Sequence, residues 1–172
     1  MSFIKSTCVI TSCNFTPNNQ SVQLQFSKYN FTIKTENDKQ FIYDIIRRKY
    51  ILLTPEEWVR QHIVHHILHD HKFPKALVSL EKQLFLNDMS KRTDIVLYNH
   101  AAKPVLIVEC KAPEIKISQK TFEQIARYNL TLIVPYLWVT NGKTNYLCNI
   151  DHQNNTFNFL QQLPPVNEIL SA

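Results

Sequence analysis

The sequence predicts an α/β fold, with a mixed central β-sheet flanked by helices. Three observations carry that expectation. The run Val105-Leu106-Ile107-Val108 has no polar face, so a strand built from it must be covered on both sides. Two separate segments repeat apolar residues at helical spacing. Further alternating or apolar runs of strand length lie before, between and after them. At 172 residues, with 44% hydrophobic and 19% charged side chains, the chain suits one globular domain with its own core.

The elements follow in order. Residues 1–45 read as a β-rich N-terminal extension packed on the same domain. Within it, 30–35 and 40–43 are strands, and the polar stretch Glu36-Asn37-Asp38-Lys39 suits a hairpin loop. Residues 46–150 form the core. Its first helix starts at Thr54-Pro55-Glu56-Glu57, which reads as a cap, a proline in the first turn and a capping-box glutamate. Val59, Ile63, Val64, Ile67 and Leu68 make its apolar stripe, and it should end at 70–72, ahead of Pro74. Strands are expected at 76–84, 93–98 and 104–111, the last stopped by Pro113. A second helix over 118–130 is capped by Ser118, with Ile117 stapled to Phe122 and with Phe122, Ile125 and Ala126 facing the core. Strands at 136–140 and 144–150 are joined by a tight Asn141-Gly142 turn. Residues 151–172, rich in Asn and Gln, read as a C-terminal tail outside the core.

Composition narrows the function. Gly142 is the single glycine of the chain. A phosphate loop needs two glycines and a dinucleotide fingerprint three, so no ATP site and no NAD site of those kinds is expected. The net charge of +5 permits a polyanionic partner. No apolar run is long enough for a bilayer span, and the N-terminus has no signal region, so the expectation is a cytoplasmic protein with no membrane partner. The four cysteines have no disulfide-framework spacing and read as free thiols.

One cluster carries chemistry. Asp94 stands at the start of one strand, and Glu109 and Lys111 close the next, separated by Cys110. Strand alternation puts Glu109 and Lys111 on one face, and antiparallel pairing would bring Asp94 beside them. Two carboxylates suit Mg²⁺, which keeps several waters, and the Cys110 carbonyl can add an oxygen. Lys111 can orient water or neutralise developing charge. The cysteine side chain should turn into the core. The plain alternative is a structural ion pair at a strand end.

Asp94, fourteen intervening residues, then Glu109-Cys110-Lys111 resembles the PD-(D/E)xK nuclease superfamily. With LTPEEWVRQ, KRTDIVLYN, KPVLIVECKAPE, FEQIARYN and VTNG, residues 41–150 resemble the N-terminal nuclease domain of type I restriction enzyme R subunits. The resemblance implies a restriction-endonuclease-like sandwich that cleaves DNA with Mg²⁺, for which Mn²⁺ can substitute. It makes Asp94 and Glu109 metal ligands and Lys111 the catalytic lysine. Gln124 and Tyr128 match a Q-x-x-x-Y motif that sits near the scissile phosphate. Glu57 matches an acidic residue of the first helix, and either a metal or a capping role suits it. Thr93 stands where the superfamily's name has proline. Those R subunits carry ATP-driven motor domains after the nuclease. The 172 residues hold none, so translocation is not expected of them. The implied partners are DNA and either other restriction-system subunits or a second copy. The alternatives are a nucleic-acid-binding adaptor that does not cut and a nuclease active only with a partner.

Arg47, Arg48, Lys49, Arg60 and Arg92 are candidate phosphate contacts or a solvated basic surface. His62, His65, His66, His69 and His71 invite a zinc reading, but no H-E-x-x-H occurs and no third ligand is evident, so a packed or solvated helix face is expected. Cys8 and Cys13 lack a matching second pair.

Overall fold

A computed structural model describes the backbone of residues 6–11, 24–86, 89–130 and 133–172, and their side chains apart from 6–11, 84–91 and 128–130. Cys13 lies outside the described residues, as does the side chain of Cys8.

The chain opens with an antiparallel sheet of four strands: β1 (Ser6–Thr11), β2 (Asn30–Glu36), β3 (Lys39–Asp44) and β4 (Lys49–Leu52), in that order. Asn37 and Asp38 both take positive φ, 51° and 59°, between the paired ends Glu36 and Lys39. That is the geometry of a two-residue hairpin turn whose twist matches its strands. β4 was not legible as a strand behind Arg47 and Arg48. The turn before it is built by Asp44, whose Oδ1 accepts from the backbone N–H of Ile46 and Arg47.

Helix α1 (Pro55–His65) begins as its sequence dictates, with Thr54 Oγ1 accepting from the Glu57 N–H. A π-turn (His66–Asp70) continues it. Every residue of α1 from Glu57 to His65 is buried, because the helix shares one core with two sheets. Phe31, Ile33 and Ile42 reach it from the four-stranded sheet, and Ile95, Leu97, Leu106 and Val108 from the larger one.

The expected strand at 76–84 divides. β5 (Val78–Leu80) stops at Glu81, whose φ is +51°, and a separate hairpin of β6 (Gln83–Leu86) and β7 (Met89–Arg92) follows. β8 (Ile95–Tyr98) therefore begins after Asp94 rather than at Thr93. β9 (Pro104–Cys110) is central and buried as its apolar run requires, paired antiparallel with β8 and parallel with β10 (Tyr136–Thr140). Helix α2 (Gln119–Leu130) supplies the crossover between those parallel strands. Ser118 Oγ accepts from the Thr121 N–H, and Ile117 and Phe122 share one apolar cluster, as a capped and stapled helix should.

Residues 145–172 complete the sheet. β11 (Asn145–Asp151) and β12 (Thr156–Leu160) extend it in the order β12-β11-β10-β9-β8-β5, and α3 (Val166–Ser171) buries Ile169. The segment expected as an outlying tail thus supplies an edge strand and part of the core. The six-stranded sheet is covered on one face by α1 and on the other by α2, where Val96, Ile107, Leu137, Val139, Phe122 and Ala126 meet. The result is the mixed α/β sandwich that the sequence predicts. No helix among the described residues is long and apolar enough to cross a membrane.

Candidate active site at the rim of the central sheet

Backbone bonds fix the approach of Asp94 to the rim. Thr93 donates its N–H and its Oγ1 to the Lys82 carbonyl at 3.0 and 2.9 Å, and Glu81 donates its N–H to the Asp94 carbonyl at 2.9 Å. A proline at 93 would lose both of these donors. The register pairs Ile95 with Val108, so one further step sets Asp94 opposite Glu109.

At the end of β9, Glu109 is nearly buried, at 8% exposure, and pairs with Val139. The Cys110 side chain is fully buried in the α1-side core, as alternation requires. Burial pushes its thiol far above the usual range, so it is no nucleophile. Its backbone N–H donates to Asp94 Oδ2 at 2.6 Å. Lys111 follows immediately, partly exposed, with its N–H on the Thr140 carbonyl at 2.8 Å. Asp94, Glu109, Cys110 and Lys111 are thus gathered at one edge of the sheet.

Arg60 is the neighbour that sequence reasoning placed elsewhere. It was expected to touch phosphate, yet its side chain is only 7% exposed. Nη2 donates to Asp94 Oδ1 at 2.8 Å and to Glu56 Oε1 at 3.2 Å, and Nη1 donates to Glu57 Oε2. Burial disfavours its charge, but Asp94 and Glu57 outweigh that and hold its pKa above the ordinary value. Glu57, expected as ligand or cap, spends its carboxylate on this network. Besides Arg60, it accepts from Arg47 Nη2 at 2.6 Å and Gln61 Nε2 at 2.9 Å. Burial raises its pKa, while Arg60, Gln61 and Arg47 pull against that rise.

Arg47 carries the network outward to Asp44 Oδ2 at 2.6 Å and to Glu81. Its side chain, 11% exposed, is likewise committed to carboxylates rather than free for phosphate. Arg92 is 69% exposed and pairs with Glu81, and Arg48 and Lys49 are exposed. Glu81 was not singled out from sequence. No local pattern marks it, because the run 76–84 reads as one continuous strand.

A second contributor that sequence reasoning undervalued is Asn141. It is buried, its Oδ1 accepts from Lys143 and Thr144 N–H at 3.0 and 2.7 Å, and its Nδ2 donates to the Ile115 carbonyl at 2.7 Å. It thereby ties the β10–β11 loop, four residues rather than a two-residue turn, to the segment after Lys111. Gly142, at φ +81°, fits beneath Leu24, whose Cδ2 would lie 2.6 Å from an added Cβ. Gln124 is exposed on α2, and the side chain of Tyr128 lies outside the described residues.

The histidines sit at the far end of α1. His62 bonds the Trp58 carbonyl through Nδ1 at 2.9 Å and packs on Phe31 and Trp58, while His65 packs on Phe31 and Tyr29. His66 Nδ1 meets Asp70 Oδ2 at 2.8 Å, and its Nε2 lies 3.1 Å from His71 Nε2. Among the described residues, no group of three or more His, Cys, Asp or Glu side chains is arranged to hold a metal. A divalent ion at the rim would therefore rest on Asp94 and Glu109, with backbone, water or phosphate oxygens completing its shell. Hard oxygen donors in that number fit Mg²⁺ chemistry.

The model for the type I restriction enzyme R protein N terminus matches residues 55–164, a span that includes the whole rim. Among solved structures, a fragment assigned as an HsdR subunit of a type I restriction enzyme from Vibrio vulnificus YJ016 is similar over 63% of this chain, with a TM-score of 0.43 and 18% identity. The chain spans 23% of that chain's length. No curated protein matches. With well over half of its residues inside the family model, the chain belongs to the family of type I restriction enzyme R protein N termini.

Proposed function

We propose that the domain is a Mg²⁺-dependent endonuclease that hydrolyses DNA phosphodiester bonds. The supporting observation is the bond from the Cys110 N–H to Asp94 Oδ2, which brings Asp94 to the end of β9 where Glu109 and Lys111 stand on either side of Cys110. Bound there, Mg²⁺ would polarise the phosphate and acidify a water. Asp94 and Glu109 would hold it, with the Cys110 carbonyl as the backbone ligand. Lys111 orients the attacking water and offsets charge on the phosphate oxygens. Gln124 and Tyr128 steady the phosphate from α2, and exposed Arg92 contacts the strand backbone. Glu57 is a positioning residue, holding Arg60 and Arg47.

The test is plasmid cleavage by the purified chain with Mg²⁺ or Mn²⁺. Asp94→Ala and Lys111→Ala should each lower cleavage about a thousandfold. Activity equal to that of the unaltered chain in both variants would overturn the proposal. A second reading draws on the ion pair of Asp94 with Arg60: a module that binds nucleic acid, alone or beside other subunits of a restriction system, and cuts only when a partner rearranges the rim. It predicts salt-dependent DNA binding without strand breaks by the chain alone.

A further inference from the structure

We infer that Arg60 is a built-in competitor of the divalent cation, a positioning residue that holds the rim in a metal-free form and weakens metal binding until it is drawn aside. The inference rests on the proposed metal role of Asp94.

The guanidinium occupies one of the two oxygens of Asp94, and the Cys110 N–H takes the other. A positive charge at 2.8 Å from a carboxylate neutralises much of the field that would attract Mg²⁺, and it repels the ion directly. Low exposure on both sides, 7% for Arg60 and 18% for Asp94, limits screening by water. Arg60 is also well placed to be drawn off. Glu57 accepts from its Nη1, Glu56 Oε1 lies 3.2 Å from Nη2, and Glu81 Oε1 lies 3.9 Å from Nη1. These acids compete with Asp94 for one side chain. Releasing Asp94 therefore does not strand the guanidinium, because Glu57 and Glu56 keep it paired. Glu57 is itself anchored by Arg47 and Gln61, so it remains in place as Arg60 pivots.

The two neighbours thus act in opposite senses. Removing Arg60 should tighten metal binding, whereas removing the charge of Glu57 should hand Arg60 more fully to Asp94 and weaken it. A merely structural role would weaken binding in both variants. Mn²⁺ titration of the full chain without nucleic acid, read by electron paramagnetic resonance of the free ion, separates these cases. Arg60→Gln should bind on the order of tenfold tighter than the unaltered chain, and Glu57→Gln several-fold weaker. Arg60→Gln leaves buried acids uncompensated, so a Glu57→Gln/Arg60→Gln double variant, which removes one charge of each sign, should also bind tighter. Equal or weaker binding by both Arg60 variants would overturn the competition while leaving the metal site standing. No saturable Mn²⁺ uptake by any of the chains would overturn both the metal site and the competition. Asp94→Asn serves as the reference for lost coordination.

Discussion

The two ends of helix α1 each carry a group of titratable side chains, and they are organised on opposite principles. At the N-terminal end Glu57, Arg60 and Gln61 join Asp44, Arg47, Glu81 and Asp94 in a network of ion pairs and hydrogen bonds. At the C-terminal end His62 and His65 are packed among Phe31, Tyr29 and Trp58, and burial lowers each pKa to about 4. One end holds charge by pairing it, and the other removes charge by desolvating it. Only the paired end reaches the sheet rim, so charge is available there for chemistry. The histidines are the more conspicuous feature of the sequence, yet they lie away from that rim.

The contrast can be broken most forcefully at Arg47, which joins the β3–β4 turn to α1. Arg47→Ala leaves Asp44 and Glu57 buried with a cation missing, and should cost about 4 kcal/mol in urea unfolding. A loss under about 1 kcal/mol would mean that the network is not a structural unit.

The histidine end is tested by pH. In the unfolded chain His62 and His65 protonate near 6.5, whereas in the folded chain they stay neutral down to about 4. The unfolded state binds more protons between those values. Stability should therefore fall as the pH drops from about 6.5 to 4, by on the order of 3 kcal/mol for each histidine, and this contribution should level off below that. His62→Gln/His65→Gln should flatten the slope. An unchanged slope would show that other groups set it.

Asn141 lies beside the rim without charge. Asn141→Ala removes three hydrogen bonds of a buried amide and should cost about 2 kcal/mol, with loosening of the loop visible in hydrogen exchange at Lys143 and Thr144. The smallest effect is expected at the exposed edge of the ionic end. Arg92→Ala should change stability by less than about 0.5 kcal/mol while weakening DNA binding in a salt-dependent way. A large stability loss there would erase the distinction between the buried and exposed parts of the network.

What was legible in the sequence follows the same physics. The apolar run of β9, the capped start of α1 and the bounds of β10 are local properties, written in neighbouring residues, and the structure has them where the pattern puts them. The antiparallel pairing of the strand after Asp94 with the strand that ends in Glu109-Cys110 was also legible, because both are short apolar runs in sequence order. The burial of Arg60 and the near-burial of Arg47 were not. A basic residue in a linear pattern reads as surface, and only the convergence of acids from four segments of the chain makes burial tolerable. The break at Glu81 and the place of β12 in the sheet were hidden for a similar reason. A positive φ on a charged residue and a five-residue edge strand directly after the polar run Gln153-Asn154-Asn155 have weak local signals, and each is imposed by what it packs beside.

The central claim is that two acidic side chains at the rim of the six-stranded sheet take up a divalent ion. Crystals soaked in Mn²⁺ and measured for anomalous scattering test it most directly. An anomalous peak within coordination distance of both Asp94 and Glu109, with the Arg60 guanidinium moved off Asp94, is the predicted result. A rim without a peak at saturating Mn²⁺, with Arg60 still closed on Asp94, would contradict it.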